Sequence, residues 1–333
     1  MTSDLNQTLV SIIVPNWNSK DLLRACLKSI VNLTYPNYEI IVVDNASADG
    51  SPEMVKTEFP NVKIIANERN LGFAAGCNVG IKSAKGEMIA LFNNDAVADP
   101  SWLTELVNTI SYSSDIGIVG GVILYYKPKG IIWSAGGRID AITGTSWRIA
   151  YGKPIGELGN VEDVDYICGC ALLIRREVIA KIGLLNEDYF MYREDVDWNL
   201  RAKRAGYKCT ISPSGVVWHK VPFKRNTPLA AYSHYATGIF RLYLEHFPAR
   251  YLFTALLFQS VIVPIFEILL FRRPVSFAAS RLRGLFKNLL GLRKIIAKRR
   301  KNELLGELPA KARVRECLAI AKEAKTSGRR PLA

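Results

Sequence analysis

The chain lacks a basic, apolar leader: MTSDLNQTLVSIIVPNWN runs directly into a strand-like segment, so no secretory signal is expected and the body is assigned to the cytosol. No CxxC pair and no regular spacing link its six cysteines, Cys26, Cys77, Cys168, Cys170, Cys209 and Cys317, which fits reduced and mostly buried thiols and not a disulfide framework. Cys168-Gly169-Cys170 invites a redox or metal reading, but two cysteines alternating along an apparent strand are better explained by burial. The G-x-G-x-x-G turn of dinucleotide-binding proteins is also missing. In Asn70 to Gly80 (NLGFAAGCNVG) the glycines at 72, 76 and 80 recur every fourth residue, which puts them on one helix face for close packing. Neither an internal repeat nor a low-complexity tract occurs.

Most of the chain also lacks net charge. The formal +14 falls wholly within residues 272–333, where 18 Lys and Arg face 4 Asp and Glu; residues 1–271 carry 26 basic and 26 acidic groups. A basic tail on a neutral body implies a polyanionic surface as partner. The segment before the tail decides which. Tyr251 to Phe271 (YLFTALLFQSVIVPIFEILLF) is apolar over about the length that crosses a bilayer, broken only by Gln259, Pro264 and Glu267. An anionic membrane surface is therefore expected as partner, with no nucleic acid, and the protein is placed at the cytoplasmic face of the cell membrane. The three interruptions make insertion marginal. A helix lying in the interface, anchored by Arg272, Arg273, Arg281, Arg283 and Lys287, is at least as well supported as a span, and the bland alternative is a helix packed on the protein's own core.

The 333 residues and 49% hydrophobic content are ample for a buried core. The first third alternates apolar runs with helical stretches, the pattern of an α/β fold with a parallel sheet flanked by helices. Strands are expected at Val10 to Val14, Glu39 to Val43, Val62 to Ala66 and Met88 to Phe92, with helices over Lys20 to Val31, Ser51 to Glu58 and Gly72 to Ala84. Each strand ends in a polar loop, and in open parallel sheets ligands bind outside the carboxyl ends of the strands. From Ile116 to Gly183, glycine-rich, strand-like segments read as a mixed continuation of the sheet, followed by a helix over Val196 to Ala205. A boundary near Arg225 to Leu229 separates a domain of residues 1–227 from a helical region, 228–333, that holds the apolar segment and the basic tail.

Several polar residues stand where this architecture would use them. Asp44 ends a strand, and a carboxylate there can accept the imide N–H of uracil or thymine, a donor that cytosine lacks; Asp49 is read as the cap of the next helix. Gly72, at a helix entry, could bring backbone N–H groups to a phosphate, with Asn70 and Asn78 as polar neighbours; helix–sheet packing is the alternative. Asn93-Asn94-Asp95 follows a buried strand, and Asp95 is suited to hold Mg²⁺ or Mn²⁺ against a diphosphate leaving group. Three acids, Glu194, Asp195 and Asp197, lie within four residues at a helix start. Capping explains one or two of them, and Asp195 is the candidate general base, with Glu194 next. His219 could add a neutral imidazole to the metal, though a lone histidine is more often structural.

Taken in order, SIIVPNWN, IIVVDNASADGS, NERNLGFAAGCNVGI, MIALFNNDA, WSAGG, YICGCALLIRREV and GLLNEDYFMYREDVDWNLRAKRAGY resemble the family 2 glycosyltransferases, in particular the rhamnosyltransferase-like branch. The resemblance runs from about Ser11 to His219. It implies a GT-A fold, with a Rossmann-like, mostly parallel sheet, and inversion at the anomeric carbon by direct displacement from a metal-bound UDP- or dTDP-sugar. By the same matching, Pro15, Asn16 and Asp44 would contact base and ribose, Asp95 and His219 the metal and diphosphate with Asn94 beside them, and Asp195 the acceptor. Membrane attachment makes a lipid-linked saccharide or cell-surface glycan precursor the expected acceptor. Two departures stand out: asparagine at 93 and 94, where many relatives carry a second acid, and Lys220-Val221-Pro222-Phe223 in place of a glycine-rich run. A sugar-nucleotide pyrophosphorylase would need a glycine-rich basic loop after the first strand, where PNWNSKDLLR stands; a non-catalytic, membrane-tethered binding protein is the other alternative.

Overall fold

The computed structural model describes residues 8–223, 228–269, 273–308 and 313. Its first third is β1 (Val10–Asn16), α1 (Lys20–Ile30), β2 (Tyr38–Asp44), α2 (Ser51–Glu58), β3 (Lys63–Ala66), α3 (Gly72–Ser83) and β4 (Met88–Phe92). β1 and β4 are buried along their whole length, as expected of strands covered on both faces. β3, β2, β1 and β4 lie side by side and parallel, with Asn16 level with Asp44. The glycine stripe of α3 sits against this sheet. A Cβ on Gly80 would come within 2.5 Å of Ile13, and one on Gly76 within 2.8 Å of Asn45, so only glycine admits the helix this close.

The sheet continues through β5 (Ala96–Ala98), β6 (Ile116–Tyr125), β7 (Ile132–Ser134), β10 (Ala171–Arg175) and β11 (Lys208–His219). The strand order is β3-β2-β1-β4-β10-β6-β11-β5, with β7 on β6; β10 runs antiparallel to both its neighbours, giving the mixed continuation. A separate hairpin pairs β8 (Gly137–Ile139) with β9 (Ser146–Arg148). Helices α1, α2 and α4 (Trp102–Ser111) cover one face, and α3, α5 (Arg176–Ile182) and α6 (Glu194–Arg204) the other. The strand expected to include Cys168 to Cys170 begins only at Ala171. The three residues form the turn before it, because the Cys170 carbonyl and the Gly169 N–H bond outside the ladder. The five described cysteines are free, and Cys317 lies outside the described residues.

Helix α7 (Leu229–His246) packs on α6. A continuous helix then runs Ala249–Leu269, made of α8 (Ala249–Leu257), a π-helical turn (Phe258–Ile262) and α9 (Val263–Leu269), before α10 (Val275–Leu290) and α11 (Leu292–Glu303). Residues 270–272, 309–312 and 314–333, like 225–227 of the expected boundary, lie outside the described residues. The three interruptions of the apolar segment all turn inward. Gln259, Pro264 and Glu267 are buried, whereas Phe253 and Leu269 stand 74% and 71% exposed, with Leu257, Val261, Ile265 and Phe266 also outward. The inward groups are bonded: Glu267 accepts from Tyr232 at 2.7 Å and Arg273 at 3.0 Å, and Gln259 accepts from Arg281 at 2.9 Å. The segment therefore keeps a largely apolar outer face, interrupted by exposed Thr254, despite its inward polar residues.

Candidate active site

At the carboxyl ends of β1, β2 and β4, side chains join the strands. Asn94 donates to Asn16 at 2.7 Å, Asn16 donates to Asp44 at 2.9 Å and to Ser47 at 3.2 Å, and the Ser47 N–H donates to Asp44 at 2.8 Å. Asp44 is only 1% exposed, with each oxygen already accepting one bond and retaining a second lone-pair direction. Pro15 lies buried beside Val43 one residue earlier. Asp49 accepts from the backbone and hydroxyl of Ser51 and from the Lys20 N–H; the N-cap of α2 is Gly50, and Asp49, one residue before it, ties the starts of α1 and α2 together.

The phosphate reading of Gly72 needs correction. Its N–H is taken by Asn70 Oδ1 at 2.8 Å, and the next N–H, of Phe73, donates to the Phe190 carbonyl at 2.7 Å. With φ at +84° and a Cβ position 2.4 Å from the Phe190 oxygen, glycine is required here by backbone shape and close approach. Asn78 is likewise a packing residue. Buried in α3, it exchanges bonds with the Leu185 backbone and donates to Glu187, which leaves it no part in a ligand site.

Across the crevice, β11 pairs with β5 so that His219 faces Ala96 and its Nε2 lies 3.0 Å from Asp95 Oδ1. Lys220 does not displace the imidazole: its N–H donates to the Asp95 carbonyl and its ammonium lies 5.1 Å from the Tyr126 ring centre. Neighbouring ligands of an octahedral ion bound at 2.0–2.1 Å stand about 3 Å apart, so this carboxylate–imidazole pair has the spacing and donor types for two corners of a Mg²⁺ or Mn²⁺ site. The edge of Trp133 meets His219 at 4.6 Å, and Arg148 stacks 4.3 Å from both Trp133 and Tyr151.

The acid-rich segment divides by environment. Tyr192 and Arg193 adopt left-handed φ of +69° and +77°, turning the chain sharply into α6. Asp188 and Asp197 are structural. Burial opposes ionisation of Asp188, but Lys294, Lys298 and Arg241 hold it down to about 2, fastening α7 and α11 to this segment. Asp197 is also buried and held well below its ordinary value, by Arg201 at 2.7 Å and His246 at 2.7 Å. Together with Glu245, pushed up to about 7 by burial and by Asp197, Asp197 and His246 have the spacing to enclose a cation, but Arg201 already supplies positive charge there. This cluster is distinct from the Asp95–His219 pair.

Glu194 and Asp195 differ from those two acids. Glu194 is buried with Oε2 unpartnered, and burial, then the charge of Asp195, pushes its carboxyl well upward. Asp195 is half-buried. It accepts from the Gly169 N–H at 2.9 Å and the Val196 N–H at 2.8 Å, yet burial outweighs these bonds and raises it too. One residue beyond Gly169, the Cys170 carbonyl accepts the Asn93 N–H at 2.8 Å. A single turn thus joins Asp195 to the Asn93-Asn94-Asp95 loop. Sequence reasoning passed over Arg148 and Arg193; the signal available was an arginine directly following an aromatic residue, Trp147 or Tyr192, beside an otherwise acidic or apolar stretch.

Residues 11–183 match the family described as glycosyl transferase family 2. The chain is 30% identical over 224 residues to the glycosyltransferase AglE of Haloferax volcanii, covering 66% of this chain and 68% of that one. It is 27% identical over 236 residues to the N-acetylglucosaminyl-diphospho-decaprenol L-rhamnosyltransferase of Mycobacterium tuberculosis, covering 63% of this chain and 76% of that one. Among solved structures it is similar to the mannosyltransferase PcManGT of Pyrobaculum calidifontis in complex with GDP-Man and Mn²⁺ (TM-score 0.51, 18% identity, 95% of this chain and 80% of that one). It is also similar to GalNAc-T7 with UDP, GalNAc and Mn²⁺ (TM-score 0.61, 18% identity, 85% of this chain and 56% of that one). Both likenesses concern the fold. With motifs, sheet order and family match in agreement, the chain belongs to glycosyl transferase family 2, has a GT-A fold and is a glycosyltransferase.

Proposed function

We propose that the protein is an inverting, metal-dependent glycosyltransferase that moves a sugar from a UDP- or dTDP-sugar to a hydroxyl of a lipid-linked saccharide at the cytoplasmic membrane surface. The observation that carries this reading is the Gly169-Cys170 turn, which bonds Asp195 on one side and the Asn93-Asn94-Asp95 loop on the other. A base for the acceptor and the holder of a leaving group must stand on either side of one anomeric carbon, and this turn couples the two.

Asp195, with its raised carboxyl, takes the acceptor proton as the acceptor oxygen bonds to the anomeric carbon and the bond to the nucleoside diphosphate breaks from the opposite face. Unpartnered Glu194 behind it is the second candidate base. Asp95 and His219 would hold Mg²⁺ or Mn²⁺, whose charge, when bound, offsets that developing on the diphosphate. Pro15, Asn16 and Asp44 contact the base and ribose, Asp44 by accepting an imide N–H; Asn94 fixes Asn16, while Asn70 and Gly72 shape the crevice rim. The acceptor assignment is supported by the apolar outer face of Ala249–Leu269 and by the diphospho-decaprenol acceptor in the name of the mycobacterial relative.

The test is a donor screen. Purified protein with Mn²⁺ or Mg²⁺ is offered UDP-, dTDP- and GDP-sugars with a polyprenyl-diphosphate saccharide, and nucleotide release and product anomer are measured. Release of UDP or dTDP, abolished by EDTA and with an inverted anomer, is expected. Turnover confined to GDP-sugars would remove uracil and thymine as the base that Asp44 reads, and a retained anomer would remove direct displacement.

A further inference from the structure

We infer that the C-terminal helices form a one-sided membrane anchor. Ala249–Leu269 and α10 lie in the plane of a single anionic leaflet with their outer faces among its acyl chains, and neither crosses the bilayer; this rests on the membrane location proposed above.

Length alone permits a span, since 21 residues rising 1.5 Å each reach about 30 Å. What opposes it is where the middle of the helix is fastened. Gln259, midway between Ala249 and Leu269, donates to the Thr143 carbonyl at 3.1 Å and accepts from Arg281 at 2.9 Å. Thr143 lies in the turn between β8 and β9, so the middle of the helix is bonded to the body that carries the candidate site. Further along, buried Glu267 is held by Tyr232 of α7 and by Arg273. A span would place Gln259 about 15 Å below the membrane surface. It would either pull the hairpin turn and Arg281 into hydrocarbon or break these bonds and leave an amide and a carboxylate unpaired there.

The side turned away from these bonds is the one that lipid can reach. On Ala249–Leu269 it carries Phe253, Leu257, Val261, Ile265, Phe266 and Leu269, and the hydroxyl of exposed Thr254 donates to the Tyr251 carbonyl at 3.0 Å. Helix α10 repeats the arrangement. Arg281, Gly284 and Asn288 face inward, Gly284 so closely that a Cβ would meet Thr237 of α7 at 3.0 Å, while Val275, Leu282, Phe286, Leu289 and Leu290 face out. Beside that outer stripe Arg283 and Lys287 are exposed, one turn apart. Their aliphatic stems can bury beside apolar neighbours while the charges reach headgroup phosphates, the pattern of a helix lying in an interface. From Val275 to Glu303 nine Lys and Arg accompany one acid, so charge favours an anionic leaflet, and a second copy of the chain would set like charges against each other.

The depth of nitroxide labels tests this on the full chain bound to phosphatidylglycerol vesicles. Single labels are placed at Phe253→Cys, Val261→Cys, Leu269→Cys and Phe286→Cys, all exposed positions where the fold should be kept. The unsubstituted chain measures labelling of its own cysteines. All four labels are expected about 5–10 Å into the boundary between headgroups and acyl chains, the depth of an interfacial helix. A span gives another profile, with Val261 near the centre of a core about 30 Å thick and Phe253 and Leu269 near its two surfaces; that profile overturns the proposal. A Phe286 label left in water removes α10 from the anchor and overturns it too. Labels shielded in a dimer without vesicles assign the face to a second copy, with the same consequence. Vesicles of phosphatidylcholine alone should bind about tenfold or more weakly, and equal binding refutes the anionic leaflet. Failure to bind any vesicle would refute the membrane location itself, a result distinct from binding with a spanning profile.

Discussion

Replacing Asp195 with asparagine separates chemistry from architecture, because both its oxygens are already engaged by backbone. The Gly169 N–H at 2.9 Å and the Val196 N–H at 2.8 Å each meet an oxygen; an amide offers oxygen to one and sets its NH₂ against the other. That mismatch costs about 1–3 kcal/mol. It is offset by removal of a charge that burial disfavours and that raises Glu194, so the net change in stability should be small, on the order of 1 kcal/mol. Loss of a positioned general base, in contrast, lowers turnover about 10²- to 10⁴-fold, or about 2.7–5.4 kcal/mol of barrier. The assay is nucleotide release under saturating donor and acceptor, with UDP affinity and the melting curve measured on the same preparation. The expected variant melts near the parent, binds UDP as the parent does and transfers almost nothing. In the parent, the raised carboxyl places the acidic limb of the rate profile above about pH 4, the ordinary aspartate range, with activity lost as pH falls through it. A folded Asp195→Asn protein that transfers at the parental rate would refute the base assignment, and a limb at or below pH 4 would refute the account of its environment.

Asp188→Asn should cost about 1–2 kcal/mol at pH 7, since the folded-state carboxyl lies near 2 and one of its three cationic partners, Lys294, is largely exposed. A depressed carboxyl stabilises above its unfolded value and loses that contribution as pH falls towards the folded one, so urea midpoints of parent and variant should converge near pH 2; a constant gap from pH 7 down would sink the ion-pair account. Phe253→Glu and Phe286→Glu alter side chains 74% and 62% exposed, so the fold should survive. Each should weaken binding to phosphatidylglycerol vesicles about tenfold or more, and unaltered co-flotation of the double variant would argue against a membrane on this face.

Much of the fold was legible because both faces of its strands are buried. Met88 to Phe92 and Ser51 to Glu58 coincide with the expected spans, the strand read from an unbroken apolar run and the helix from its place between two strands. No helix was expected between β4 and Ile116, yet Trp102, Leu103, Leu106, Val107 and Ile110 form the buried stripe of α4 at helical spacing. The acid cluster shows the limit of local reasoning. Glu194, Asp195 and Asp197 look alike in sequence, and only the arrival of Arg201 and His246 at Asp197 separates them, one of the two partners lying 49 residues away. Gly72 misled for a related reason: a glycine at a helix entry can serve a phosphate or a carbonyl, and the carbonyl came from Phe190, far along the chain.

The inward turn of Gln259 and Glu267 bears on more than hydropathy. An anchor joined to its enzyme by a slack linker lets the crevice hover at any height above the bilayer. Here Glu267 and Gln259 pin the Ala249–Leu269 helix to Tyr232 on α7 and Arg281 on α10, and α7 in turn is pinned to α6, which carries Asp195. On a bilayer such a chain of contacts acts as a fixed ruler. Under the proposed function, Asp195 would stand at one elevation, and acceptors would be sorted by how far their terminal hydroxyl rises from the lipid, so that the number of sugars already added would become part of what the enzyme recognises.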